Sequence, residues 1–160
     1  MSLIRTFARP MLASIFIAGG VDEIRNASAM APTAKPVTEK MAPLIAARVP
    51  TVVPLPTDTA GWVRAEGAVK VVAGLALATG RFPRVAALAL AATMVPTTLA
   101  AHAFWNESGP NARAEAKTQF LKNVSLTGGL VIAAVDVEPS ARERVEIAAR
   151  RVKRKFERDD

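Results

Sequence analysis

The sequence predicts an all-α protein: a four-helix transmembrane bundle with both termini inside the cell, followed by an amphipathic basic C-terminal helix. Half of the 160 residues are apolar (51%), although the formal net charge is +7. The longest stretch without a charged residue, 85–106, has 22 positions and exceeds the roughly 18 that a membrane-spanning helix needs. The lysines and arginines lie mostly between and beyond the apolar segments, where they indicate which side of a membrane each segment faces.

The predicted spans lie near residues 4–21, 60–80, 85–104 and 119–136, within a membrane domain over residues 1–137. Only the third predicted span is apolar enough to cross a membrane without including charged residues. The other three have uncharged runs of 12, 10 and 13 positions and reach spanning length only when flanking charged residues are included. A four-span bundle therefore has to hold ionisable groups in the membrane or at its edge.

The distribution of basic residues predicts the topology. With both termini in the cytoplasm, the inside segments hold 12 of the 21 lysines and arginines, and the outside segments hold six. The short turn from Arg81 to Arg84 is the most informative segment, because the positive-inside rule applies best to short loops.

A cleaved secretory signal is the alternative for the N-terminus, since Ala27-Ser28-Ala29 resembles a cleavage site. Three charged residues stand between the apolar run and that site, namely Asp22, Glu23 and Arg25. The sequence therefore favours a retained first helix.

The segment 22–59 is predicted to be an outer loop, because it holds six of the 11 prolines and proline resists helix interiors. One short piece, about 37–49, has near-helical apolar spacing and is expected to cap the bundle or to lie along the interface. Small residues in the spans, such as Gly67 and Gly74, would let the helices approach closely.

The tail 138–160 is predicted to form a cytoplasmic amphipathic helix, since Ser140 and Glu143 have the spacing of a capping box. It has two interpretations: a helix on anionic lipid head groups, or a solvated tail that only enforces the topology. The residues expected at the membrane surface are Arg150, Arg151, Lys153, Arg154 and Lys155. Nucleic-acid binding is disfavoured, because seven acidic residues lie in 136–160 and no binding motif accompanies them.

A group of polar residues is predicted in the outer half of the bundle. Charged groups at membrane depth cost about 2.5–3.5 kcal/mol each on insertion scales, so they tend to pair and to face the interior. Three basic residues against one glutamate give this group a formal charge of +2, which would favour an anion or a ligand with acceptor oxygens, such as a quinone. The competing interpretation is a network that only locks helices together. The candidate residues are Arg64, Glu66, Lys70, His102, Lys122 and Asn123.

Composition excludes several kinds of chemistry. The absence of cysteine rules out disulfides, thiol catalysis and Cys-ligated metal or iron–sulfur sites. A single histidine, His102, rules out His-rich zinc sites and leaves heme without a second histidine ligand. We therefore expect no metal, heme, zinc or iron–sulfur centre in this chain.

Short motifs in all four helices carry a family resemblance. They are Arg9-Pro10-Met11-Leu12-Ala13 with Ile15-Phe16-Ile17-Ala18-Gly19-Gly20 in the first helix, Glu66, Gly67 and Gly74 with the basic turn to Arg84 in the second, His102-Ala103-Phe104-Trp105 at the end of the third, and Lys122-Asn123 with Gly128-Gly129-Leu130 in the fourth. In order and spacing they resemble the DoxX family of small bacterial membrane proteins, over about residues 5–137. The long Pro-rich loop and the basic tail fall outside the family pattern.

The resemblance implies a four-helix integral protein of the bacterial cytoplasmic membrane. The family is named for its similarity to a subunit of an archaeal thiosulfate:quinone oxidoreductase, and its members are associated with redox and oxidative-stress functions. The first hypothesis is a binding or scaffold subunit of such an assembly, with the lipid bilayer and other redox proteins as partners. The alternative is a catalytic or quinone-binding subunit of a membrane oxidoreductase, in which Glu66 or His102 handles a proton. A transporter is disfavoured by the small size and the lack of a repeat.

Overall fold

The computed structural model describes residues 3–50, 52 and 54–136, and in that part of the chain all regular secondary structure is helical. This confirms the all-α class. The predicted tail helix, with Arg150, Arg151, Lys153, Arg154 and Lys155, lies outside the described residues. The elements are α1 (Leu3–Ala46), α2 (Thr59–Thr79), α3 (Pro83–Ala101), a short 3-10 helix (Phe104–Asn106) and α4 (Pro110–Val135).

The first helix is much longer than predicted. It has 44 residues, with non-helical backbone angles at Asn26 that mark a kink, and it continues through more than half of the segment that was predicted to be a loop. The prediction of irregular structure is therefore wrong over 22–36, whereas the piece at 37–49 with near-helical apolar spacing is helical as far as Ala46. Pro32, Pro36 and Pro43 lie four and seven residues apart, and all three are exposed. Each proline leaves the carbonyl group four residues earlier without its backbone hydrogen bond. That carbonyl lies on the same exposed face, where solvent can donate a hydrogen bond to it.

Helices α1 and α2 cross at two glycines. A Cβ atom added to Gly20 would lie 2.6 Å from the Gly67 carbonyl oxygen, and one added to Gly67 would lie 2.6 Å from the Gly20 carbonyl oxygen. Ala13 and Ala27, each seven residues from Gly20, are buried on the same side of α1. Small side chains at this spacing let two helices approach closely along a seam.

A tight turn joins α2 to α3. Gly80 adopts a left-handed conformation (φ 71°), and the N–H of Arg81 donates to the Ala76 carbonyl over 2.8 Å, which closes the end of α2. Phe82 is also left-handed (φ 49°), a conformation that costs a bulky residue about 1–3 kcal/mol, and its side chain is 80% exposed. Pro83 then starts α3 with a backbone angle suited to a first turn.

The bundle has an interior of mainly small and aliphatic residues and an apolar exterior. Leu77, Leu90 and Leu130 are fully buried in an apolar core to which all four helices contribute. Large apolar side chains also cover the outside of the bundle, an arrangement typical of a protein surrounded by lipid. Exposed examples are Phe7, Met11, Val72, Leu75, Val85, Leu88, Val95, Val131 and Ile132.

One helical segment in the described part of the chain, Pro83–Asn106, is long and apolar enough to cross a membrane by itself. It coincides with the longest uncharged stretch of the sequence. Crossing by the other three helices stays a prediction.

The two ends of the helical chain meet at one end of the bundle. Arg5 at the start of α1 donates two hydrogen bonds to Asp136, which follows α4, over 2.7 Å from Nε and 2.6 Å from Nη2. Arg9 lies 3.7 Å from the same carboxylate. These contacts therefore tie the start of α1 to the end of α4.

We expect Asp136→Asn to lower the free energy of unfolding by about 1 kcal/mol, because a two-pronged Arg–carboxylate pair that is mostly shielded from solvent is stronger than an ordinary surface pair. Glu39→Gln is the control, since Glu39 and Lys35 are 3.9 Å apart and largely exposed, and it should change little. Thermal unfolding in mild detergent measures both. Equal effects of the two variants would contradict the stabilising role of the Arg5–Asp136 pair.

Candidate functional site

A buried lysine stands at the centre of the polar group. The Lys70 residue is 3% exposed and lies near the middle of α2, about 16 Å along the axis from Thr59 at 1.5 Å per residue. Its ammonium group is hydrogen-bonded to the Glu23 carboxylate of α1 and, over 2.7 Å, to the Thr97 hydroxyl of α3. The Glu66 carboxylate of α2 lies 3.1 Å from the same nitrogen. We call these four residues the Lys70 cluster.

The Thr97 hydroxyl links the cluster to the backbone of α3 and to Glu66. It lies 2.5 Å from Glu66 Oε1 and 2.9 Å from the Thr93 carbonyl oxygen, while it accepts the hydrogen bond from Lys70. Pro96, immediately before it, lacks an N–H and loosens the helix at this turn. The cluster therefore lies beside the turn of α3 in which proline removes one backbone hydrogen bond.

Two of the four residues, Glu23 and Lys70, lie on the buried seams of their helices. Glu23 follows Gly20 by three residues and precedes Ala27 by four, and both of those neighbours are buried. Lys70 stands in the same relation to Gly67 and Gly74 on α2. The close crossing of α1 and α2 thus places the glutamate and the lysine face to face, one turn beyond the glycine contact.

The structure brings together two of the six predicted site residues, Glu66 and Lys70. Arg64 is exposed and points to the Ser28 hydroxyl at 3.4 Å. Lys122 is also exposed and donates to the Gln119 side chain of its own helix over 2.9 Å. Both basic residues lie outside the Lys70 cluster.

The two other predicted residues lie toward the end of α3. Asn123 of α4 donates to the buried Thr98 hydroxyl over 3.0 Å, one residue from Thr97, and so holds α4 beside the cluster. His102 follows the last residue of α3, is half-buried, and donates its backbone N–H to the Thr98 carbonyl. Among the described residues, no side chain is hydrogen-bonded to the His102 ring.

The charge of the cluster differs from the predicted charge of the site. One lysine and two glutamates give a formal charge of −1, in place of the +2 expected when Arg64 and Lys122 were included. The arrangement can hold a cation or a hydrogen-bond donor, and it does not favour an anion.

Glu23 is the residue that sequence reasoning missed. It was assigned to the outer loop because the predicted first span ends at residue 21. Its Oε1 accepts from Lys70, whereas its Oε2 is buried without a hydrogen-bond partner in the structure. Burying a carboxylate oxygen without a hydrogen-bond donor costs free energy, and this atom can still accept a proton or a hydrogen bond from a donor group.

Metal binding has no support in the described part of the chain, where no group of three or more histidine, aspartate or glutamate residues is placed to hold an ion. The side chains of the cluster can form ion pairs and hydrogen bonds and can exchange protons.

The family comparison agrees with this architecture. The family model of DoxX matches residues 4–103, which is more than half of the chain. This chain belongs to the DoxX family. Membership shows that it is a membrane protein of that family, and the match contains all four residues of the Lys70 cluster while α4 lies beyond it. No curated protein and no solved structure is significantly similar to the chain.

Proposed function

We propose that this DoxX protein is a membrane-embedded binding or scaffold subunit of a redox or oxidative-stress assembly in the bacterial cytoplasmic membrane. The observation that supports this role is the engagement of Lys70 with three helices at once. Three protein oxygens surround an ammonium group that has three protons, so the lysine has no donor left for a ligand. Its role in this proposal is to fix the positions of α1, α2 and α3.

The fixed bundle would then offer its outer faces to lipid and to partner proteins. Four crossings with both termini in the cytoplasm are part of the proposal. The basic turn at Arg81 and Arg84 supports this orientation, and the Arg5–Asp136 contact supports the even number of crossings. Thiol chemistry would come from the partner, because the chain itself has no cysteine.

A second function, a quinone-binding subunit of a membrane oxidoreductase, is favoured by one observation. Glu23 Oε2 is buried without a hydrogen-bond partner, and a quinol hydroxyl is a donor of the right chemistry for it. In that case Glu23 would bind the quinol, while Lys70 and Glu66 would hold the Glu23 side chain in place.

Two conservative variants separate these functions. Glu66→Gln removes one carboxylate charge beside Lys70 and is expected to lower the free energy of unfolding by about 1–3 kcal/mol, with a parallel loss of co-purified partner protein. Glu23→Gln should also destabilise the fold. Decylubiquinol should leave the melting temperature of the wild-type protein unchanged. Thermal unfolding and mass spectrometry of the complex, both in mild detergent, provide the readouts.

Glu115→Gln is the matched control, because Glu115 is exposed on α4 and should keep both the stability and the partner. The quinone function would be favoured by a different pattern. In that pattern decylubiquinol raises the melting temperature of the wild-type protein, and Glu23→Gln abolishes this shift without unfolding the chain.

A further inference from the structure

An apolar groove lies between α2 and α3, away from the Lys70 cluster. It holds about 580 Å³, and its lining consists only of alanines, valines and Phe82. On α2 the lining runs from Ala68 to Ala76, and on α3 it runs from Val85 to Ala89. Val72, Phe82 and Val85 line it and are themselves exposed, so the groove opens to the outside of the bundle.

The length of the groove matches part of one membrane leaflet. The eight helical steps from Ala68 to Ala76 rise about 12 Å, while half of a bilayer's hydrocarbon core is about 15 Å thick. Because the bundle belongs to a membrane protein, the surrounding lipid chains can reach such a groove directly. Its shape and composition fit a hydrocarbon chain.

Two arginines mark the end of the groove at Phe82. Arg81 and Arg84 flank this residue, and both are exposed. Within the described ranges, neither guanidinium makes an ion pair within 4 Å or a side-chain hydrogen bond, and Arg84 is close enough to the Asp136 carboxylate to interact with it electrostatically. The left-handed backbone at Phe82 forms part of the tight turn that holds these arginines near the groove. Guanidinium groups bind phosphate through bidentate hydrogen bonds to two of its oxygens.

A second copy of the chain fits the groove less well. Two copies in the same membrane orientation, paired through this face, would bring their arginine turns to the same depth. Four guanidinium groups would then face one another at the interface, and like charges repel. A phosphate brings the opposite charge to the same place.

We propose that the α2–α3 groove binds an acyl chain of an anionic phospholipid, whose phosphate is held by Arg81 and Arg84. In the topology given under Proposed function, the basic turn faces the cytoplasm, so the lipid belongs to the cytoplasmic leaflet. This site is separate from the basic tail. It does not require any role for the Lys70 cluster.

The test uses the full chain in vesicles that contain a photoactivatable phosphatidylglycerol with a diazirine on its acyl chain. After illumination, peptide mass spectrometry locates the label. We expect the label within residues 68–89. Unlabelled phosphatidylglycerol, added before illumination, should reduce this labelling more than unlabelled phosphatidylcholine does. Removing both side-chain charges in Arg81→Gln/Arg84→Gln should lower labelling of this segment about 25-fold, since each basic residue near a surface contributes about a fivefold preference for anionic lipid.

Two further variants sharpen the result. Arg48→Gln/Arg113→Gln removes two exposed arginines elsewhere and should leave the labelling unchanged. Ala89→Phe fills the groove and should suppress the label while the melting temperature stays near that of the wild type, because the groove opens outward.

Three results would overturn the proposal. One is equal labelling by phosphatidylglycerol and phosphatidylcholine probes, and another is label confined to peptides from 137–160. The third is efficient disulfide cross-linking between copies of a Val72→Cys variant, which has a single thiol because the natural chain has no cysteine. That outcome would assign the groove to a second copy of the protein.

Discussion

Replacing Lys70 with methionine is expected to lower the free energy of unfolding by about 3–5 kcal/mol, the largest effect of any single substitution considered. Methionine keeps the length and the apolar stem of the side chain, so the loss comes from the charge. Without the ammonium group, the carboxylates of Glu23 and Glu66, which are mostly shielded from solvent, would lack a counter-ion, and uncompensated charge away from solvent is strongly destabilising. Titration with a denaturing detergent, followed by intrinsic fluorescence of the two tryptophans, measures the change.

The same substitution at Lys117 is the matched control, because Lys117 is exposed on α4 and should tolerate methionine within about 0.5 kcal/mol. A triple variant tests the electrostatic origin of the loss. Lys70→Met with Glu23→Gln and Glu66→Gln removes all three charges and should recover to within about 2 kcal/mol of the wild type. If the triple variant is as unstable as Lys70→Met alone, the lysine acts through packing and the ionic explanation is wrong.

The helices predicted from apolar segments agree with the structure where the helix is apolar over most of its length. The second segment was predicted at 60–80 and is observed at Thr59–Thr79, and the third was predicted at 85–104 and is observed at Pro83–Ala101. Helices α1 and α4 extend well beyond the predicted segments, to Ala46 and back to Pro110. Hydropathy marks the part of a helix that suits lipid, whereas a helix continues into water wherever its backbone hydrogen bonds persist.

The candidate site was predictable in part, for a reason that lies in helix periodicity. Glu66 and Lys70 were found because their spacing of four favours an ion pair on one helix. Glu23 was missed because the first span was ended two residues before it. The buried residues of α1 follow steps of three and four, and that pattern includes Glu23: Ala13, Phe16, Gly20, Glu23 and Ala27. Sequence alone could not show that Arg64 and Lys122 turn outward, since each belongs to a helix whose rotation is set by packing.

Alanine substitutions at the neighbouring glycines Gly19 and Gly20 are expected to change stability in opposite directions. A Cβ atom at Gly20 would lie 2.6 Å from the Gly67 carbonyl oxygen and 2.9 Å from Lys70 Cβ, so α1 and α2 would have to separate. A Cβ atom at Gly19 would meet nothing within 4 Å. Overpacking costs about 1–3 kcal/mol, while replacing glycine by alanine inside a helix gains about 0.5–1 kcal/mol. We therefore expect a net loss of about 1–2 kcal/mol for Gly20→Ala and a small gain for Gly19→Ala.

The separation forced by Gly20→Ala would also reach the Lys70 cluster, because Glu23 and Lys70 lie one turn beyond the two glycines on their respective helices. Moving α1 away from α2 increases the distance between the Glu23 carboxylate and the Lys70 ammonium group. A Gly20→Ala/Lys70→Met double variant should therefore lose less stability than the two single losses added together, as expected for coupled residues. Unfolding titrations of the four proteins in one detergent give the coupling energy. Strict additivity would show that the glycine crossing and the buried ion pairs stabilise the bundle independently, and that the crossing does not position the cluster.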